Sequence, residues 1–122
     1  MPTEPAPLTL AEVVRRAAQV VDPADEDPDI GSFELAFEDS DEPVRALQDV
    51  PERVRGVLHG LDPEKESGSL QMAGALTTYL SFRRDEAQGD PDELLRLAAR
   101  AEWKGDPPAA VADWLSAQGI EP

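Results

Sequence analysis

The central element of this protein is predicted by residues 70–84, which read LQMAGALTTYLSFRR. Apolar side chains cover more than one face of a helix through this stretch: Leu70, Met72, Ala73, Ala75, Leu76, Tyr79, Leu80 and Phe82. A helix that is apolar most of the way round is usually surrounded by other elements. Arg83 and Arg84 end the stretch, where cations complement the helix dipole. We therefore predict a central helix on which the other elements pack.

A helix with a clear start lies near the N-terminus. Thr9 and Glu12 have the spacing of a capping box, in which each side chain binds the backbone N–H of the other residue. The residues that follow have the spacing of one buried helical face: Leu10, Val13, Val14, Ala17 and Val21. Asp22-Pro23 is a stop signal, so this helix is predicted to end there.

Further helices are predicted on both sides of the central one. Residues 41–60 indicate two short helices, the second starting with a capping box of Asp49 and Glu52 and ending at Gly60. Residues 90–93 (Asp-Pro-Asp-Glu) are a strong helix start, and Trp103-Lys104-Gly105 closes that helix. Asp106-Pro107-Pro108 begins a last helix, for which Gly119 and Ile120 predict a Schellman ending on Leu115.

These signals predict an all-α fold, a compact single-domain bundle of about five or six short helices over residues 8–122. Residues 1–7 are Pro-rich and are predicted to form a flexible arm. Residues 22–43, after the first helix, form an acidic and partly irregular segment. No alternating run is long enough to predict a sheet, and we find no internal repeat of solenoid length.

Negative charge dominates the composition, with 26 acidic and 11 basic residues and a net charge of −15. Such a surface repels phosphate, so we expect neither direct binding to nucleic acid nor binding to an anionic membrane. We expect instead a protein partner with a basic surface. The absence of Cys excludes disulfides and thiol catalysis. Because the N-terminus lacks signal-peptide features and no apolar run is long enough to span a membrane, we expect a cytoplasmic protein.

The main candidate interaction site is the acidic tract, residues 17–44, which contains no Lys or Arg. Its dense carboxylates would attract a basic surface, and its interleaved apolar residues could anchor a partner. The partner-binding residues we predict are Asp25, Asp27, Asp29, Phe33, Phe37, Glu38, Asp39, Asp41 and Glu42. In the alternative interpretation, Phe33 and Phe37 belong to the core and the charges only solvate the surface. Ser32 favours a short helix over the apolar part of the tract.

A second hypothesis is a cation-binding protein. Asp25, Asp27 and Asp29 have the alternating spacing that can place carboxylates around Ca²⁺ or Mg²⁺. An EF-hand loop starting at Asp25 would need Gly and Glu where the chain has Ile30 and Ala36, so that motif is not matched. The unspecific alternative is a solvated acidic loop.

Catalytic motifs are missing from the sequence. The chain has one histidine, His59, no cysteine, and none of the common nucleophile-elbow, P-loop, dinucleotide or zinc-protease motifs. An enzyme that uses a pair of carboxylates across a cleft remains a third hypothesis, without a sequence signature. We therefore expect a small, acidic, non-catalytic interaction or regulatory protein that needs no cofactor, and we leave its oligomeric state open.

Overall fold

The computed structural model describes residues 8–83, 86 and 89–120, so the predicted arm, residues 1–7, lies outside the described residues, as does Arg84. The described chain forms six α-helices and a short 3₁₀ helix, Val44–Ala46, between the second and third. The α-helices are α1 (Leu10–Val21), α2 (Pro28–Ala36), α3 (Val50–Leu61), α4 (Gly68–Phe82), α5 (Pro91–Trp103) and α6 (Ala109–Ala117). These residues contain no β-strand, which confirms the all-α prediction. None of the described helices has the length and apolar character that crossing a bilayer requires.

Helix α4 is the central element, as predicted, because it contacts each of the other five α-helices. Most of its side chains are buried, including two hydroxyls. Thr77 Oγ1 donates to the Ala73 carbonyl (2.8 Å) and Ser81 Oγ to the Thr77 carbonyl (2.7 Å). The hydroxyls therefore meet their hydrogen-bonding needs within the helix, and they enter the core without unsatisfied polar atoms. Phe82, the last residue of α4, is exposed although it belongs to the predicted apolar set.

Local capping signals account for several helix ends. Helix α1 starts with the predicted capping box, and the Asp90 side chain caps α5 by accepting from the Glu93 backbone N–H (3.1 Å). At the end of α6, Gly119 adopts φ +76°. The Ile120 N–H donates to the Leu115 carbonyl (2.9 Å), which is the predicted Schellman bond.

Two boundaries differ from the predictions. Helix α2 starts at Pro28 rather than near Ser32, because Asp27 caps it and a proline is tolerated in the first turn. Helix α3 begins after Asp49, but the Asp49 side chain makes no capping bond and instead pairs with Arg53 (3.0 Å). The same helix continues through Gly60 and ends at the Asp62-Pro63 stop signal.

The first four helices form two helical hairpins whose helix starts repeat after 40 residues, which sequence analysis alone did not find, although α2 has 9 residues and α4 has 15. Helices α1 and α3 both have 12 residues and start 40 positions apart. Each helix of one hairpin packs on the non-equivalent helix of the other, α1 on α4 and α2 on α3. The identical pairs between residues 9–30 and 49–70 are Glu12/Glu52, Val14/Val54, Arg15/Arg55, Asp22/Asp62, Pro23/Pro63 and Glu26/Glu66.

The loops inside the two hairpins have the same conformation. Asp22 has φ −134° and ψ 69°, and Asp62 has φ −147° and ψ 64°. Each of these carboxylates accepts the backbone N–H groups four and five residues later, at 2.9–3.1 Å. Three residues after each aspartate, Asp25 and Lys65 adopt left-handed backbone conformations with φ 54° and 55°. The starts of α2 and α4, which follow these loops, are also joined, because Ser69 Oγ donates to Asp27 Oδ2 (2.9 Å).

The two loop aspartates differ in burial, which leads to a prediction. Asp62 is 8% exposed and accepts a third bond from Gln71 Nε2 (3.1 Å), whereas Asp22 is half-buried. Burial raises the pKa of Asp62, but the hydrogen bonds from Ser67, Glu66 and Gln71 outweigh burial and hold that pKa below its usual value. We expect Asp62→Ala to lower the free energy of unfolding by about 2 kcal/mol, since three part-buried hydrogen bonds lose their charged acceptor.

Urea denaturation at several pH values tests this prediction. The matched variant Asp22→Ala should lower the free energy of unfolding by about half as much, roughly 1 kcal/mol, because Asp22 is more exposed to solvent. Since the folded pKa of Asp62 is lowered, its contribution is full above the unfolded pKa of about 3.9 and is lost as pH falls through the folded value. Equal losses for both variants at pH 7, or an Asp62→Ala loss that does not shrink as the pH falls below the unfolded pKa, would contradict the expected role.

Candidate functional site

The acidic tract is pinned to the body rather than extended. Phe33 and Phe37 are 0% and 3% exposed, and their rings meet edge to face with centroids 5.3 Å apart. The alternative interpretation, in which both belong to the core, is the one observed, because an anchor for a partner would have to be accessible. The two rings hold α2 and the residues after it against the other helices.

The backbone that follows α2 completes the start of α1. The N–H groups of Leu10 and Ala11 donate to the carbonyls of Glu42 (3.1 Å) and Ser40 (3.0 Å). These are first-turn groups that have no partner within their own helix, so the tract satisfies them. The side chains of Glu38, Asp39, Asp41 and Glu42 stay exposed, and Glu42 pairs with Arg53 (3.1 Å).

An open groove of about 490 Å³, here called the acidic groove, lies between α1 and α2. Its lining consists of Ala11, Arg15, Asp25, Pro28, Gly31, Ser32, Glu34, Leu35 and Glu38. Of the predicted partner-binding residues, only Asp25 and Glu38 line this groove; Asp27, Asp29, Asp39, Asp41 and Glu42 do not. Leu35, which the predicted set omits, is a large apolar residue that is 64% exposed.

The electrostatics of the acidic groove centre on Glu34. Partial burial raises the pKa of Glu34, and the nearby charges of Asp25 and Asp22 raise it further, against an opposing effect of Arg15. The raised pKa means that the ionised carboxylate is held at a cost, which a cation placed in the groove would relieve. Among the described residues that line the groove, Arg15 is the one cation.

Of the three predicted cation-binding aspartates, Asp27 has a structural role. The Asp27 carboxylate accepts the Asp29 backbone N–H (3.0 Å) and the Ser69 hydroxyl (2.9 Å), and it caps α2. Within residues 8–83, 86 and 89–120, no three His, Cys, Asp or Glu side chains are grouped in a way that could hold a metal ion. The geometry of this loop therefore gives the cation hypothesis no support.

A second groove of about 420 Å³, here called the mixed groove, lies between α3 and α4 and reaches the end of α5. Seven of its lining positions fall 40 residues after positions that line the acidic groove. These pairs are Ala11/Pro51, Arg15/Arg55, Asp25/Lys65, Gly31/Gln71, Glu34/Gly74, Leu35/Ala75 and Glu38/Thr78. The two grooves are therefore equivalent sites of the repeated hairpin, and the second lacks the three carboxylates of the first.

The mixed groove also has a wall that the acidic groove lacks. Glu102 and Trp103, at the end of α5, and Pro108, just before α6, line one side of it. His59, the one histidine of the sequence, lines it as well, together with two cations, Arg55 and Lys65. Sequence analysis missed this groove because its residues are spread over four segments of the chain.

Comparison with known proteins assigns no role to either groove. No protein-family model, curated protein or solved structure matches the chain. The functional interpretation therefore depends on the lining, charge and exposure of the two grooves.

Proposed function

We propose that this protein is a non-catalytic interaction protein that binds a basic segment of another protein in the acidic groove. The observation that carries the proposal is the exposure of Leu35, at 64%, in a groove that Asp25, Glu34 and Glu38 also line. A large apolar side chain among carboxylates suits a partner segment with Lys or Arg residues around an apolar one. The carboxylates of the tract outside the groove add long-range attraction.

The two kinds of contact have different roles in this proposal. Opposite charges steer the partner towards the groove and raise the association rate, an effect that salt screens over about 8–10 Å. Covering Leu35 supplies a contact that salt does not weaken, worth up to about 2 kcal/mol for complete burial of its side chain. Binding is therefore expected to depend on salt through the carboxylates and on apolar contact through Leu35.

A pair of variants with the same net charge tests the proposal by affinity capture and quantitative mass spectrometry. The groove variant carries Asp25→Asn, Glu34→Gln and Glu38→Gln. The control variant carries Glu64→Gln, Asp106→Asn and Asp113→Asn, which are exposed residues that do not line the acidic groove. We expect the groove variant to lose captured partner about tenfold, equivalent to about 1.4 kcal/mol, and the control variant to keep it.

Three further measurements separate the proposed contact from bulk charge. Capture should fall when the salt concentration is raised, and Leu35→Ser should weaken it at every salt concentration. The groove variant should melt at the same or a higher temperature than the native chain at pH 7, because ionised Glu34 is held at a cost. Equal loss of partner in the groove and control variants would mean that the partner responds only to the overall negative charge. That result would refute the proposal.

A further inference from the structure

We propose that the mixed groove is a binding site for a small apolar or aromatic carboxylate. This inference is independent of the partner proposed for the acidic groove, because it concerns the equivalent site of the other hairpin. It is carried by the charge pattern that distinguishes the two equivalent grooves and by the apolar lining of the second.

The difference in charge between the two grooves includes one pair of equivalent positions at which an acidic residue in one hairpin is replaced by a basic residue in the other. In the acidic groove Arg15 is accompanied by Asp25, whereas in the mixed groove Arg55 is accompanied by Lys65. Within the described part of the chain, neither Arg55 nor Lys65 forms a salt bridge. Two cations that line one groove and form no salt bridge favour an anionic group from outside.

The carboxylates that line the mixed groove do not remove this preference. Both oxygens of Asp62 are engaged by the backbone N–H groups of Glu66 and Ser67 and by the Gln71 amide. Glu102 is exposed and is the remaining carboxylate of the described lining. The charged side chains of that lining are therefore two cations and two carboxylates, one of which is already hydrogen-bonded, so the groove is close to neutral in a protein whose net charge is −15.

The apolar part of the lining suits the body of such a ligand. Buried Val54 and Ala75, half-buried Leu58 and the half-buried indole of Trp103 all line the groove. Gly74 lies between them, where a Cβ atom would come within 2.5 Å of Leu58 Cδ1, so α3 and α4 approach closely here. The groove volume of about 420 Å³ falls in the usual range for small-molecule sites, roughly 300–1,000 Å³.

A single carboxylate fits this site better than a polyanion. The net charge of −15 repels a nucleic acid or a strongly acidic protein surface at long range. Among anions, a monoanion with an apolar body is repelled least, and the groove lining offers it the cations Arg55 and Lys65 and the indole of Trp103. Arginine also offers the paired N–H donors that match the two oxygens of a carboxylate.

Three probes test the inference on the full chain with the Trp114→Phe substitution, which leaves Trp103 as the one fluorescent indole. The probes are 4-phenylbutyrate, the uncharged isostere 4-phenylbutyramide, and inorganic phosphate. We expect 4-phenylbutyrate to change Trp103 emission saturably with a Kd on the order of 1 mM, as its size implies. The amide should bind at least fivefold more weakly. Equal affinity of carboxylate and amide, or a response to phosphate alone, would overturn the proposal.

The repeat supplies a matched control for the binding residues. Arg55→Gln with Lys65→Gln should weaken 4-phenylbutyrate about tenfold, whereas Arg15→Gln, the equivalent arginine of the acidic groove, should leave its Kd unchanged. Lys65→Asp gives a second test that the fold tolerates, because the equivalent position already holds Asp25 with the same left-handed backbone. Retained affinity in Lys65→Asp and in the double variant, with native melting temperatures, would show that these cations do not hold the ligand and would refute the site.

Discussion

Replacement of Phe33 by alanine is expected to lower the free energy of unfolding by about 3–5 kcal/mol, as for other buried phenylalanines. The Phe33 side chain is 0% exposed and packs edge to face on Phe37, so its removal leaves a cavity and an unsupported ring. Because these two rings attach α2 to the body, the acidic groove should be lost together with the stability. Urea denaturation followed by far-UV circular dichroism measures the effect.

Leu35 provides the control for Phe33 within the same helix. Leu35→Ala removes a side chain that is 64% exposed, so the free energy of unfolding should change by less than about 0.5 kcal/mol. Under the proposed function, the same variant should reduce partner capture. Similar stability losses for Phe33→Ala and Leu35→Ala would contradict the orientation of α2 described above.

Gly68→Ala is expected to cost about 2–3 kcal/mol, the upper part of the range for overpacked sites. A Cβ atom at Gly68 would lie 2.3 Å from the Ala110 carbonyl oxygen and 2.5 Å from Trp114 Cβ. The carbonyl belongs to the backbone of α6, so the clash cannot be relieved by rotating a flexible side chain, and α6 must shift as a whole. Thermal unfolding and the near-UV signal of Trp114 would report the change.

Gly56→Ala is the control for Gly68→Ala and has the opposite expected sign. Gly56 lies in the middle of α3 and is exposed, and a Cβ atom added there would meet no described atom within 4 Å. Alanine should therefore stabilise the protein by about 0.5–1 kcal/mol through helix propensity alone. Destabilisation by Gly56→Ala would contradict the open space around Gly56, and an unchanged stability of Gly68→Ala would contradict the close contact between Gly68 and α6.

Sequence analysis predicted the parts of the fold that depend on interactions between residues close together in the chain. The Thr9–Glu12 capping box, the Asp90 cap and the Gly119 ending each depend on residues within one or two turns. The central position of α4 was also predictable, because few exposed helices are apolar on more than one face.

The candidate sites depended on long-range packing and were only partly predictable. Phe33 and Leu35 are two positions apart on one helix, and spacing alone does not decide which of them faces the core. The prediction placed the partner contact over the whole tract, whereas the acidic groove takes only Asp25 and Glu38 of the predicted residues and adds Arg15 from α1. The repeat was missed because its signal is a shared loop conformation more than shared residues.

The residue with a left-handed backbone in each hairpin loop has a conformation that the fold requires and a side-chain charge that the fold does not fix. The loop conformation is set by Asp22 or Asp62 through backbone N–H groups that follow, and the intervening side chain takes no part in those bonds. That side chain is acidic in Asp25 and basic in Lys65, yet the backbone φ differs by only a degree. Because the loop conformation does not depend on this side chain, replacing one residue can reverse the charge that the loop contributes to the lining of either groove.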